Sequence, residues 1–140
     1  MDFLSALKVS ASGLSAERER VDLATSNLAN ADSTRGPDGT PYKRLDPILR
    51  ATSFEENMSS EHSQAMGVQV ASVVADDAPG RRVYSPGHPD ADADGFVTLP
   101  NVNPVNEVVN LISASNAYSA NASAIETLKG MAERAVEIGK

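Results

Sequence analysis

The chain has 140 residues and a mass of 14.7 kDa, with 12 Lys and Arg against 19 Asp and Glu, a net charge of −7 and a pI near 4.7. That balance excludes the concentrated basic footprint of a nucleic-acid binder, and the absence of cysteine removes thiol chemistry, disulfides and cysteine-held metals. Hydrophobic residues make up 41%, with three Phe, three Tyr and no Trp, so a thin or elongated core is expected in place of the large one a compact domain of this length hides.

The first twenty residues, MDFLSALKVSASGLSAERER, carry an acid at position 2 and no continuous apolar run, so no secretory signal is expected there. No run of 18 apolar residues is available to span a membrane. Over residues 3–29, Leu4, Leu7, Ala11, Leu14, Val21, Thr25 and Leu28 recur mostly at three, four or seven, which predicts one long helix with a single apolar stripe. Gly13 interrupts it at a cost of about 1 kcal/mol relative to Ala. Asn27 and Asn30, near its end, read as C-terminal cap residues.

The middle of the chain has a different character. Residues 32–39, DSTRGPDG, form a turn cluster, and Tyr42–Leu49 is a short extended segment interrupted by Pro47. Residues 52–66 are polar and unperiodic and predict a flexible loop. Residues 67–74 alternate as a strand, Pro79-Gly80 turns, and Arg81–Ser85 returns as the expected partner, with one further short strand at Phe96–Leu99.

Between these last two lies an unusual run, YSPGHPDADADGFVTLPNV, residues 84–102. Asp90, Asp92, Asp94 and Gly95 occupy positions 1, 3, 5 and 6 of a calcium loop. Position 12 is Asn101 where a bidentate glutamate belongs, and Pro86, Pro89 and Pro100 stand where the motif needs helices, so an acidic turn is the favoured reading. His88 beside Asp90 and Asp92 lacks a nucleophile elbow, and no phosphate-binding glycine loop exists elsewhere. Neither an enzyme nor a bound cofactor or metal is expected.

Asn103-Pro104 reads as an N-cap followed by proline at the first helical position, with Glu107 in the first turn. Val108, Leu111, Ala114, Tyr118, Asn121, Ile125, Leu128, Ala132 and Ala135 then repeat at three and four up to Gly139. The belt at 113–124 is Ser, Ala or Asn at every position except Tyr118, which is expected to fill a gap against Leu14 or Val21 of its own or an adjacent chain. Phe3, Val9, Val105, Val109 and Ile112 widen the apolar faces beyond one seam. The fold expected is mainly α: two long terminal helices, 1–31 and 103–140, packed as an antiparallel coiled-coil-like pair, with a small loop-rich β insertion at 32–102. So wide a face over so little core favours self-association or co-assembly, with the helices ordered by their neighbours.

The run Ser12-Gly-Leu-Ser-Ala-Glu-Arg18, continuing through Val21-Asp22 to Ser26-Asn-Leu-Ala-Asn-Ala-Asp-Ser-Thr34, resembles the N-terminal signature of the bacterial flagellar rod and hook protein family. Residues 107–121, EVVNLISASNAYSAN, resemble its C-terminal signature, and residues 84–102 resemble a segment peculiar to the proximal rod. Asn116 stands where an arginine is frequent, and Ala31-Asp32 departs slightly from the usual pair.

The resemblance implies a structural subunit of the basal-body rod, in the periplasmic space, whose helices pack around an export channel and help carry torque from motor to hook. Implied partners are further copies of the chain, the rod proteins FlgB, FlgF and FlgG, the base protein FliE, and the flagellar type III export apparatus during secretion. Leu4, Leu7, Leu14, Val21, Leu28, Val108, Leu111, Tyr118, Asn121, Ile125 and Leu128 are then packing and assembly residues, within or between chains, and Asn27 and Asn30 additionally bond a neighbour's backbone. His88, Pro89, Asp90, Asp92, Gly95, Pro100 and Asn101 form the family-specific connector.

Overall fold

In a computed structural model of the chain, residues 3–53 and 66–139 are described. Helix α1 (Phe3–Ala29) and helix α2 (Pro104–Ile138) flank four strands, β1 (Leu45–Ser53), β2 (Met66–Ala75), β3 (Arg81–Tyr84) and β4 (Phe96–Leu99). At 1.5 Å per residue the helices are about 40 and 52 Å long. Gly13 lies against Asn121 and Asn27 against Glu107, so they run antiparallel, as expected. Asn103 caps α2 as its sequence requires, its side-chain oxygen accepting from the amides of Val105 and Asn106, with Pro104 at the first turn.

The strands form two separate antiparallel ribbons, β1 with β2 and β3 with β4. This corrects the expected pairing of 67–74 with 81–85. Alternation identifies a strand but not its partner; here the polar stretch after Ser53 joins β1 to β2, and Arg81 pairs with Leu99 across the second ribbon. The ends of the expected 52–66 loop are also corrected, since Thr52 pairs with Gly67 and Ser53 with Met66; the remainder of that loop, with His62, lies outside the described residues. Pro47 does not interrupt β1 but sits opposite Val73, because each strand of a two-stranded ribbon has an open side where a missing N–H costs nothing. A bulge between Ile48 and Leu49 follows it. The β1–β2 ribbon lies on α1, where Ser12 Oγ accepts from the Val68 amide at 3.1 Å.

The core is thin. Its buried apolar residues among those described are Ala16, Ala24, Ala31, Val97, Val102 and Ala114, and the largest fully buried side chains are Glu107, Asn27 and Pro100. Between the helices the line of closest contact therefore runs through Gly13, Ala16, Ala24 and Asn27 on α1 and through Glu107, Ala114 and Asn121 on α2. The expected stripe sits to either side of it: Leu7, Leu14, Val21 and Leu28 are half-buried, while Leu4, Ala11 and Thr25 are exposed. Small residues let the two backbones approach, and the branched side chains are displaced to the flanks, where they remain available to other surfaces. The chain exposes 9625 Å², against roughly 6,900 Å² for a compact monomer of its mass.

Candidate functional site

Two constructions stand out, a buried polar junction where the helices meet the mid-section and an acidic turn that leads into α2. The junction begins with Asn27, which is not a helix cap, because α1 continues to Ala29 and no described residue other than glycine has positive φ. Its side chain instead acts as a piece of β-ladder. Asn27 Nδ2 donates to the Leu45 carbonyl and Asn27 Oδ1 accepts from the Leu45 amide, both at 2.9 Å, while the Tyr42 hydroxyl donates to the same Oδ1 at 2.9 Å. The second proton of Asn27 Nδ2 goes to Glu107 Oε2 at 3.2 Å. Asn30 does not take the left-handed geometry of a terminal Asn either; its side chain closes the helix instead, Nδ2 donating to the Ser26 carbonyl at 2.9 Å.

Glu107 is 1% exposed and charge-balanced from the mid-section, with Arg44 Nε donating to Oε1 at 2.7 Å. Arg44 also pairs with Asp46. Burial pulls the Arg44 guanidinium down, but hydrogen bonds and charge from Glu107 and Asp46 together outweigh it and hold its pKa above the usual value. The Arg44 amide donates to Asn101 Oδ1 at 2.9 Å, and Asn101 Nδ2 donates to the Asp76 carbonyl at 3.0 Å. Asn101, the residue that fails the calcium pattern, thus ties the root of the β1–β2 ribbon to the chain entering α2. No buried side-chain polar atom among the described residues lacks a partner.

Apolar spacing starts the α2 stripe at Val108, yet Val108 is 40% exposed and its neighbour Glu107 takes the seam position. Both fit the spacing to Leu111, four residues on for Glu107 and three for Val108. Apolar character favoured the wrong one, because the partner charge, Arg44, is 63 residues away in sequence and carries no local signal. Arg44 and Tyr42 were missed for the same reason.

In the acidic turn the carboxylates of Asp90 and Asp92 are engaged by the chain's own donors. Asp92 Oδ1 accepts from the amides of Phe96 and Asp94 at 2.8 and 3.0 Å, and Arg82 NH2 reaches Asp92 Oδ2 at 2.6 Å. The Phe96 amide, followed by Arg82 and the Asp94 amide, holds the Asp92 carboxyl below its ordinary range. Asp90 accepts from the Thr34 hydroxyl at 2.8 Å and from Arg35 at 3.4 Å, so it anchors the turn after α1, and its own amide donates to His88 Nδ1 at 3.1 Å. Gly95 has φ +80° and a Cβ there would lie 2.9 Å from the Tyr84 ring, which explains glycine at that position. Tyr84 meets Phe96 edge to face at 5.3 Å, with the Arg82 guanidinium 4.8 Å above the Phe96 ring.

Pro100 is buried and Pro89 exposed. Among the described residues no cluster of three or more His, Asp or Glu side chains is arranged to hold a metal ion. Calorimetric titration with calcium is accordingly expected to give no binding in the micromolar range; a micromolar dissociation constant, lost in Asp90→Ala/Asp92→Ala, would overturn that.

The remaining candidates lie on the helices. Leu111, Tyr118, Asn121, Ile125 and Leu128 are half-buried in the single chain. Leu4, Val105, Val109 and Ile112 are 60, 71, 59 and 56% exposed, and Met131, Val136 and Ile138 continue the apolar surface to the end of α2.

Comparison with known proteins gives a consistent picture. Residues 7–37 match the family model described as flagella basal body rod protein, and residues 93–138 match that of the flagellar basal body rod FlgEFG protein C-terminal region. The flagellar basal-body rod protein FlgC of Salmonella typhimurium is 43% identical over 140 residues, covering all of both chains. FlgC of Bacillus subtilis is 39% identical, again over the whole of both chains, and that of Aquifex aeolicus is 38% identical over all of this chain and 99% of its own.

Proposed function

The chain belongs to the FlgC family of flagellar basal-body rod proteins, and on that premise we propose that it is a structural subunit of the proximal rod, in the periplasmic space, with no catalytic step of its own. The observation that carries this reading is end-to-end similarity to FlgC chains together with a helix pair whose outer faces are apolar and exposed. A rod subunit needs such faces, because a polymer is held by surfaces that a monomer leaves open.

In this reading residues 1–31 and 103–140 form the axial domain and residues 32–102 face outward. Val105, Val109 and Ile112, with Leu4 and the flanking Leu7, Leu14, Val21, Leu28, Val108, Leu111, Tyr118, Ile125 and Leu128, pack against neighbouring helices. Asn27 has all its hydrogen-bonding capacity used inside its own chain, so its part in assembly is indirect. The neighbours are further copies of the chain and the other rod components FlgB, FlgF, FlgG and FliE, reached after passage through the type III export apparatus. A stiff shaft made of such contacts helps transmit torque from motor to hook. Cells deleted for the chain are expected to lack rods and to regain them on complementation, with an epitope-tagged copy located in the rod of isolated basal bodies. Complete basal bodies in the deletion strain would refute the proposal.

A further inference from the structure

We infer that the Asn27–Glu107–Arg44 cluster sets the register of the two helices, a task the seam between them cannot perform. The buried seam residues are Ala16, Ala24 and Ala114, and α2 offers Ser, Ala or Asn at every position from 113 to 124 except Tyr118. Alanines offered to alanines pack nearly as well after a slide of one helical turn. Tyr118 is half-buried, so its ring does not sit in a closed hole that such a slide would destroy. Gly13, where an added Cβ would approach the Asn121 side chain to 3.0 Å, permits the close crossing but does not select it, because other small residues of the belt would fit equally well.

The cluster is different in kind, because its geometry tolerates no slide. One turn displaces α2 by about 5.4 Å, well beyond hydrogen-bond reach of the 3.2 Å contact from Asn27 to Glu107 and the 2.7 Å contact from Arg44. A slide of three residues in one direction brings Asn110 opposite Asn27, a neutral amide unable to balance Arg44. A slide of four in the other brings Asn103, which is already spent on capping α2. Only Glu107 satisfies both partners. A single buried polar side chain fixes register in coiled coils by the same penalty on misalignment. Here the penalty also couples register to the mid-section, since Arg44 is fixed to Asn101 and Asn27 to Leu45. The lock thereby decides which half-buried residues of α1 and α2 lie side by side on the outer face.

The test uses engineered disulfides in the purified full-length chain, held folded with trimethylamine N-oxide and checked for helicity by circular dichroism. The native sequence has no cysteine to interfere. Gly13→Cys is combined in turn with Asn121→Cys, Ala117→Cys or Ala124→Cys, and intramolecular cross-links are counted by mass spectrometry in a glutathione redox buffer. In the otherwise native chain the 13–121 link is expected to exceed either slipped link at least tenfold. With Asn27→Leu, Arg44→Met and Glu107→Leu together, helicity should persist while the slipped links rise to within about threefold of the 13–121 link. An exclusive 13–121 link in that triple variant overturns the inference. Should the triple variant lose helicity, the same assay on Glu107→Gln decides: slipped links raised at unchanged helicity support the lock, and an unchanged pattern refutes it.

Discussion

Replacing Glu107 by Ala is expected to destabilise the folded helix pair by about 3 kcal/mol and to abolish swimming. The side chain is 1% exposed and receives hydrogen bonds from Arg44 and Asn27. Its removal leaves Asn27 with a buried donor unmatched and Arg44 with Asp46 alone, and the Arg44 side chain, 23% exposed, has limited access to water in compensation. In a chain whose core is mostly alanine, and whose helices are expected to draw much of their stability from neighbouring subunits, that loss is large. Glu107→Gln keeps the volume and one acceptor but presents an amide proton to one of two donors, so roughly half the loss is expected. Soft-agar motility and the yield of rod-bearing basal bodies read both effects. Normal swimming of the Ala variant would mean that the junction does not hold the subunit together.

Gly80→Ala is expected to disrupt the β3–β4 ribbon, at a cost on the order of 2–3 kcal/mol. A Cβ at Gly80 would lie 2.1 Å from the Leu99 carbonyl oxygen and 3.1 Å from Thr98 Cγ2. The first of these is backbone, and Leu99 is the ladder partner of Arg81, so the clash cannot be relieved by rotating a side chain. The strand pair must open from that end, and the packing of Tyr84 against Phe96 at its other end weakens with it. Gly87→Ala, at a position with nothing within 4 Å of an added Cβ, serves as the control and should stay within about 0.5 kcal/mol of the native chain. Amide chemical shifts of residues 81–84 and 96–99 report the outcome, and a native-like spectrum for Gly80→Ala would contradict the close approach.

Local chemistry made much of this fold legible. Three-and-four spacing marked α1 from Phe3 to Ala29, and Asn103-Pro104 marked the start of α2 to the residue, because periodicity and capping are written in neighbouring positions. Strand partners were not legible, since alternation at 67–74 says nothing about whether 45–53 or 81–84 lies alongside. The seam was misplaced by a related failure. Leu14, Val21 and Leu28 are the conspicuous apolar residues, but two helices that approach closely bury Ala16 and Ala24 and turn the larger side chains aside. Glu107 and Asn27 were hidden because a buried polar residue is recognisable only with its partners, and Arg44 and Leu45 come from the middle of the chain. The acidic turn was read correctly as a turn through Asn101 and the prolines, although the Thr34 and Arg35 contacts to Asp90 required three dimensions.

A seam of alanines also bears on when the helices fold. Backbone ordering costs about 1–2 kcal/mol per residue, and a methyl group buried at each seam position offsets it poorly. Neighbouring subunits would supply the missing area through Leu4, Val105, Val109, Ile112 and the flanking half-buried residues, so folding of the ends is expected to be coupled to incorporation in the rod. A chain with unstable ends also threads more easily through an export channel and does not polymerise early. Hydrogen exchange on the dilute free monomer tests this coupling most directly. Fast exchange is expected across 3–29 and 104–136, with slower exchange confined to the two ribbons, β1 with β2 and β3 with β4. Strong protection of both helices in the dilute monomer would show that they fold unaided, and would contradict the coupling of folding to assembly.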